Sequence, residues 1–73
     1  MYNELSMTLE VKLAKIIKNA RLKANLTQVE VAKLAGIHHN YYARIERAEV
    51  MLSAETLNSI VKALNINLEL PLK

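Results

Sequence analysis

Seventy-three residues with ten Lys/Arg, seven Asp/Glu and no cysteine describe one small, mildly basic domain, at the size where a single hydrophobic core is marginal and dimerisation is the expected aid to stability. The missing cysteine excludes disulfides and thiolate metal sites. The lack of an apolar run of about 18 residues excludes a membrane span, and the start MYNELSMTLE has neither the basic nor the apolar region of a signal peptide, so the expectation is a soluble, cytoplasmic protein.

Residues 1–8 show no periodicity and are expected to be a frayed arm. Thr8 then stands where it can cap a helix running to about Lys23, with Leu9, Leu13, Ile16, Ile17 and Ala20 spaced as one core stripe. Lys12, Lys15, Lys18 and Lys23 fill the remaining faces of that helix, in solvent or near phosphate. Asn25 is a helix stop, because Asn adopts the left-handed backbone more readily than any residue but glycine.

Thr27 and Glu30 form a T-x-x-E capping box ahead of Val31, Ala32, Leu34 and Ala35, which recur at helical spacing. That second helix stops at Gly36, the only glycine in the chain, which supplies a left-handed turn without steric cost. Ile37 follows as an apolar plug, and a third helix starts near His38 or His39. With Asn40 set at zero and 100° per residue, Arg44 lies at about 40° and Arg47 at about −20°, while Tyr42 and Ile45 fall at about 200° and 140°. One face of the third helix is therefore apolar and the other carries a planar amide and two guanidinium forks. Asn pairs bidentately with adenine N6/N7 and Arg with guanine O6/N7. The plain alternative is an ordinary amphipathic surface helix.

The stretch AEVML after Arg47 reads as a connecting loop. Ser53 caps a fourth helix, with Glu55 well placed in its first turn and Leu57, Ile60, Val61 and Leu64 as its apolar stripe. Asn65 marks the stop. In the tail, Ile66, Leu68, Leu70 and Leu72 alternate with Asn67, Glu69 and Pro71. A period of two is a strand pattern, and Pro71 would break a helix. A lone strand must pair with something, and the same strand of a second copy is the simplest partner.

Charge is not spread evenly along these elements. Residues 11–47 hold eight Lys/Arg against Glu30 and Glu46, a balance of +6, and the remainder balances at −3. This is the asymmetry a polyanion-binding surface needs, although lysine-rich helices are often only solvated faces. Catalytic chemistry finds no footing. No serine has a histidine nearby, one glycine cannot build a phosphate loop, and the carboxylates are scattered. His38 and His39 diverge by about 100° if both are helical and have no third ligand beside them, so no metal, cofactor or enzymatic activity is expected.

Residues 26–47, with Leu26-Thr27-Gln28, Ala32, Gly36, Ile37, Ile45 and Glu46-Arg47 as they stand, resemble the helix-turn-helix of the phage-repressor-like (Xre/Cro-type) family. That family's pattern runs L-T-Q-x-x-L-A and then G-h-x-x-x-x-h-x-x-h-E-R, with h apolar. The resemblance covers about residues 9–66 and implies an all-α, lambda-repressor-like domain of four to five helices, with 9–65 as the DNA-binding domain and 27–47 as its reading unit. Many relatives carry a short fifth helix at 66–73, where the alternation here reads as a dimerisation strand, against a fifth helix or a disordered tail. It implies that Gln28, His39, Asn40 and Arg44 read bases, that Thr27, Tyr41 and Arg47 hold phosphates, and that Arg21 pairs with Glu46. It also places the AEVML loop near the DNA backbone. Two positions depart from the pattern: Tyr42 stands where Ile or Val is usual, implying a roomier core or a hydroxyl reaching the surface, and Ala48 replaces the usual Gly.

The alternating tail resembles the antitoxins paired with HipA-type kinases, which implies a dimer joined through Ile66, Leu68, Leu70 and Leu72. The expected function is a homodimeric, sequence-specific DNA-binding regulator, a repressor on a palindromic operator. Its partners would be double-stranded DNA and a second copy. The alternatives are an antitoxin that also binds a toxin protein, or the controller protein of a restriction-modification system.

Overall fold

The computed structural model describes residues 8–66. Among these residues every regular element is helical: α1 (Leu9–Lys23), α2 (Gln28–Ala35), α3 (His39–Glu46) and α4 (Ala54–Leu64). Residues 1–7 of the arm expected at 1–8 and the strand positions Leu68, Leu70 and Leu72 lie outside the described residues. Ile66 does not; it is half-buried and packs on the chain's own core. No described helix is long and apolar enough to cross a membrane.

Local chemistry starts and stops each helix. The Thr8 hydroxyl accepts from the Val11 N–H at 3.2 Å, and the Ser53 hydroxyl from the Thr56 N–H at 3.0 Å. At α2 the capping box is complete: Glu30 N–H donates to Thr27 Oγ1 at 3.0 Å and Thr27 N–H to Glu30 Oε1 at 2.8 Å. Each such cap satisfies amide groups that the helix leaves unpaired and contributes about 1 kcal/mol. The expected stops at Asn25, Gly36 and Asn65 all have positive φ, at 62°, 74° and 54°.

The core unites Ile17, Val31, Ala32, Tyr42, Ile45, Ile60 and Leu64, with Ala20, Leu26, Ile37 and Leu57 packed against it. Here α1 departs from the expected stripe. Leu13, Ala14 and Ile17 are buried, but Leu9 is 64% and Ile16 41% exposed. On a helical wheel the packed face is rolled by roughly 60° towards Ala14 and Arg21. That roll brings Arg21 inward, over Glu46, and leaves Leu9 and Ile16 at the rim. The same edge effect exposes Leu34 of α2 (62%) while Val31 and Ala32 are buried, and Met51, in the loop between α3 and α4, is 77% exposed.

A fourth left-handed residue was not expected. Ala48 has φ 60°, in a turn where Ala48 N–H reaches the Ile45 carbonyl oxygen at 3.0 Å and Glu49 N–H the Arg44 carbonyl oxygen at 3.0 Å. An L-residue in this conformation costs roughly 1–2 kcal/mol. Glycine avoids most of that but loses more chain entropy on folding, roughly 0.5–1 kcal/mol. Ala48→Gly is therefore expected to stabilise the fold by about 0.5–1 kcal/mol and raise Tm by several degrees in a thermal melt. An unchanged or lowered Tm would mean that the turn is not left-handed in solution.

Candidate nucleic-acid interface

α3 is set on the domain by a tight turn. Gly36 ends α2 in left-handed geometry, the Ile37 N–H closes back on the Ala32 carbonyl oxygen at 3.0 Å, and Ile37 plugs the core. His38 is the N-cap of α3: its backbone is extended and its Nδ1 accepts from the Asn40 N–H at 3.1 Å. Because His38 lies outside the helix, the helical divergence expected for the histidine pair does not apply. The two rings stack, with centroids 4.6 Å apart and planes at 22°. Among the described residues no three His, Asp or Glu side chains gather as a metal site.

The faces of α3 divide as its periodicity requires. Tyr42 and Ile45 are buried at 0% and 2% exposure, whereas His39, Asn40, Arg44 and Arg47 are exposed and Tyr41 is half-buried. Thr27, at the start of α2, is exposed. Gln28 is half-buried and its Nε2 donates to Glu46 Oε1 at 3.0 Å. A carboxylate only accepts, so this bond fixes which end of the Gln28 amide is nitrogen. The amide nitrogen carries a second hydrogen and the carbonyl oxygen remains an acceptor, so a bidentate contact to a base edge stays chemically open.

Beneath the exposed face lies a polar anchor centred on Glu46. Arg21 Nε donates to Glu46 Oε2 at 2.7 Å and Arg21 Nη2 to Oε1 at 3.1 Å. The Tyr42 hydroxyl donates to Oε2 at 2.5 Å, and Arg21 Nη1 donates to the Leu26 carbonyl oxygen at 2.9 Å. One carboxylate thus ties α1, α2, α3 and the α1–α2 connection together. The side chains of Arg21 and Glu46 are 11% and 2% exposed, yet no described buried polar side-chain atom lacks a partner. Burial pushes the Glu46 carboxyl up, but the hydrogen bonds from Arg21, Tyr42 and Gln28 outweigh it and hold the group below its usual range. The bond to Glu46 raises the Arg21 guanidinium further, against the opposing effect of burial. Burial, reinforced by the neighbouring carboxylate, raises the Tyr42 phenol, which therefore stays a neutral donor.

The Arg21–Glu46 pair is present as the sequence resemblance implied. The Tyr42 and Gln28 contributions were not anticipated. Tyr42 and Glu46 are i and i+4 on one helix, a spacing that brings side chains together, so that contact was open to sequence reasoning. It also explains the tyrosine: its hydroxyl goes inward to the anchor and not to the surface. A second missed residue, Glu49, sits on the outer face. Arg47 Nε donates to Glu49 Oε2 at 2.8 Å and Arg47 Nη2 to Oε1 at 3.2 Å, while Arg44 Nε lies 3.6 Å from Oε1. The Arg47 bond holds the Glu49 carboxyl low, against a small opposing effect of burial.

The chain's similarities agree with this geometry. The family model for helix-turn-helix proteins matches residues 17–70. Control protein C.SmaI of Serratia marcescens is 34% identical over 59 residues, which cover 81% of this chain and 70% of that protein. The ImmF control region 10 kDa protein of Bacillus phage phi105 is 35% identical over 57 residues, covering 78% of this chain and 63% of that protein. The chain thus spans about two thirds of the length of these relatives. No solved structure matches the chain significantly.

Proposed function

This chain belongs to the helix-turn-helix family of phage-repressor-like (Xre-type) DNA-binding transcriptional regulators, and from that membership we propose that it acts in the cytoplasm as a homodimeric repressor, reading a palindromic operator through the major groove. The observation that carries this reading is the division of α3. His39, Asn40, Arg44 and Arg47 face solvent while Tyr42 and Ile45 are locked in the core, with the Glu46 anchor fixing the helix from below. A helix held this rigidly presents its outer side chains without a large ordering cost on binding.

In this reading Gln28, His39, Asn40 and Arg44 contact base edges. Thr27, Tyr41 and Arg47 hold phosphates and so set the register of α3 on the duplex. Two copies related by a two-fold axis would present their α3 helices about one DNA turn, roughly 34 Å, apart. Leu68, Leu70 and Leu72 are the proposed contacts between copies.

The direct test is to footprint the purified protein on the DNA upstream of its own gene. Two protected half-sites with two-fold symmetry are expected, and the protection should weaken steeply with added salt as counterions compete for the phosphates. No protection at low salt would overturn the proposal. A relative named as a control protein favours a second reading, the controller protein of a restriction-modification system; a neighbouring methyltransferase gene would support it. The antitoxin reading, with a toxin protein as partner, rests on the alternating tail at 66–73, of which Ile66 alone is described.

A further inference from the structure

Glu49 occupies the outer face of α3 although it lies beyond that helix. The left-handed Ala48 turns the chain so that the Glu49 N–H meets the Arg44 carbonyl oxygen at 3.0 Å, and the side chain comes back over the helix. Its carboxylate takes both Nε and Nη2 of Arg47, at 2.8 and 3.2 Å, and lies 3.6 Å from Arg44 Nε. Among the described residues, Glu46 is committed to the anchor and Glu30 to the α2 capping box. Glu49 is thus, among the described residues, the acidic group set between Arg44 and Arg47 on the outer face.

Its contribution to the fold is small. The Arg44 and Arg47 side chains remain 54% and 56% exposed, and solvent screens ion pairs of this kind. Its effect on an incoming polyanion is larger. A phosphate that takes Arg47 or Arg44 from Glu49 exchanges one anion for another and leaves a carboxylate facing the duplex, so the exchange yields little. A guanine edge differs: it offers Arg44 two acceptors, O6 and N7, in the geometry of its fork and without a full negative charge. Arg44 can donate to that edge, while Arg47 keeps Glu49 through Nε and Nη2 and offers Nη1 to its phosphate.

We propose that Glu49 is a specificity-determining residue of this interface, competing with phosphate for Arg44 and Arg47 and so weakening binding to arbitrary DNA more than binding to the operator. The inference rests on the DNA-reading role of α3 proposed above.

Dissociation constants of the wild type, Glu49→Gln and Glu55→Gln on two duplexes, over a range of salt concentrations, test it. One duplex is a site recovered by selecting random-sequence DNA with the wild-type protein; the other is a scrambled duplex of the same composition. Glu55 is exposed in the first turn of α4 and controls for the loss of one negative charge. Freeing one cation for phosphate is expected to tighten Glu49→Gln on the scrambled duplex about eightfold at 0.1 M salt and steepen its log–log salt slope by about 0.9. On the selected site the gain should be about twofold or less, because the base edge already holds Arg44. The ratio between the two duplexes therefore falls, while Glu55→Gln leaves it unchanged. Equal tightening on both duplexes, no tightening on either, or the same fall in Glu55→Gln overturns the role of Glu49 and leaves the DNA-reading role standing. Failure of the wild type to bind either duplex at low salt overturns both.

Discussion

Arg21→Ala is expected to destabilise the domain by about 3–5 kcal/mol, the usual cost of removing one partner from a buried ion pair. The loss is this large because Glu46 stays behind, 2% exposed, with only the neutral donors of Tyr42 and Gln28 left to solvate its charge. The Leu26 carbonyl oxygen also loses its bond from Arg21 Nη1. A domain of this size has total stability of the same order, so the variant should keep only a small part of it at room temperature. Urea denaturation followed by circular dichroism measures it. A loss below about 1 kcal/mol, the range of exposed pairs, would mean that the anchor is solvated in solution.

The same anchor predicts a pH dependence of known sign. The folded-state value of Glu46 is depressed, so the unfolded chain takes up the proton first as pH falls. Its contribution is fully present above the unfolded carboxylate range, near pH 4.3, and is lost as pH drops through the lower folded value. The stability gap between the wild type and Arg21→Ala should narrow over that acid window, because the variant has less of this contribution to lose. Isothermal denaturation at stepped pH would show it. A gap independent of pH would place its origin in packing of the arginine stem.

The second large effect concerns recognition. Asn40→Ala and Arg44→Ala are each expected to remove about 1–3 kcal/mol of discrimination between bases, roughly five- to 150-fold in relative affinity. Both side chains are exposed, and neither contributes to the core, so the variants should melt close to the wild type. Alanine changes at the α1 lysines expected near phosphate, Lys12, Lys15, Lys18 and Lys23, should instead weaken all sequences alike. Competition binding against scrambled duplexes separates the two classes. Identical losses on specific and random DNA for every substitution would remove direct readout by α3.

How much of this was legible beforehand follows from the range of each interaction. The helix ends were legible at Thr8, Thr27, Gly36, Ser53 and Asn65, because a cap or a left-handed stop involves residues at most a few positions apart. The two faces of α3 were legible too, since with eight residues and a 3.6 period an exposed Arg44 leaves Ile45 facing inward. The roll of α1 was not. Leu9 and Ile16 belong to the apolar stripe on paper, yet they ended at the rim.

Where helices begin and end and which side of α3 is polar were legible in the sequence, because these depend on local backbone chemistry and periodicity; that the chain is a helix-turn-helix protein was legible only through its motif resemblance to that family. Three features emerge only from long-range packing: which edge of each apolar stripe is covered, how Arg21, Gln28, Tyr42 and Glu46 close into one anchor, and that Glu49 returns to the outer face of α3. The anchor joins residues 18 and 25 positions apart, and the position of Glu49 depends on a left-handed alanine that local preference disfavours. Such features are chosen by the packing of the whole domain, whose energy no short window of the chain contains.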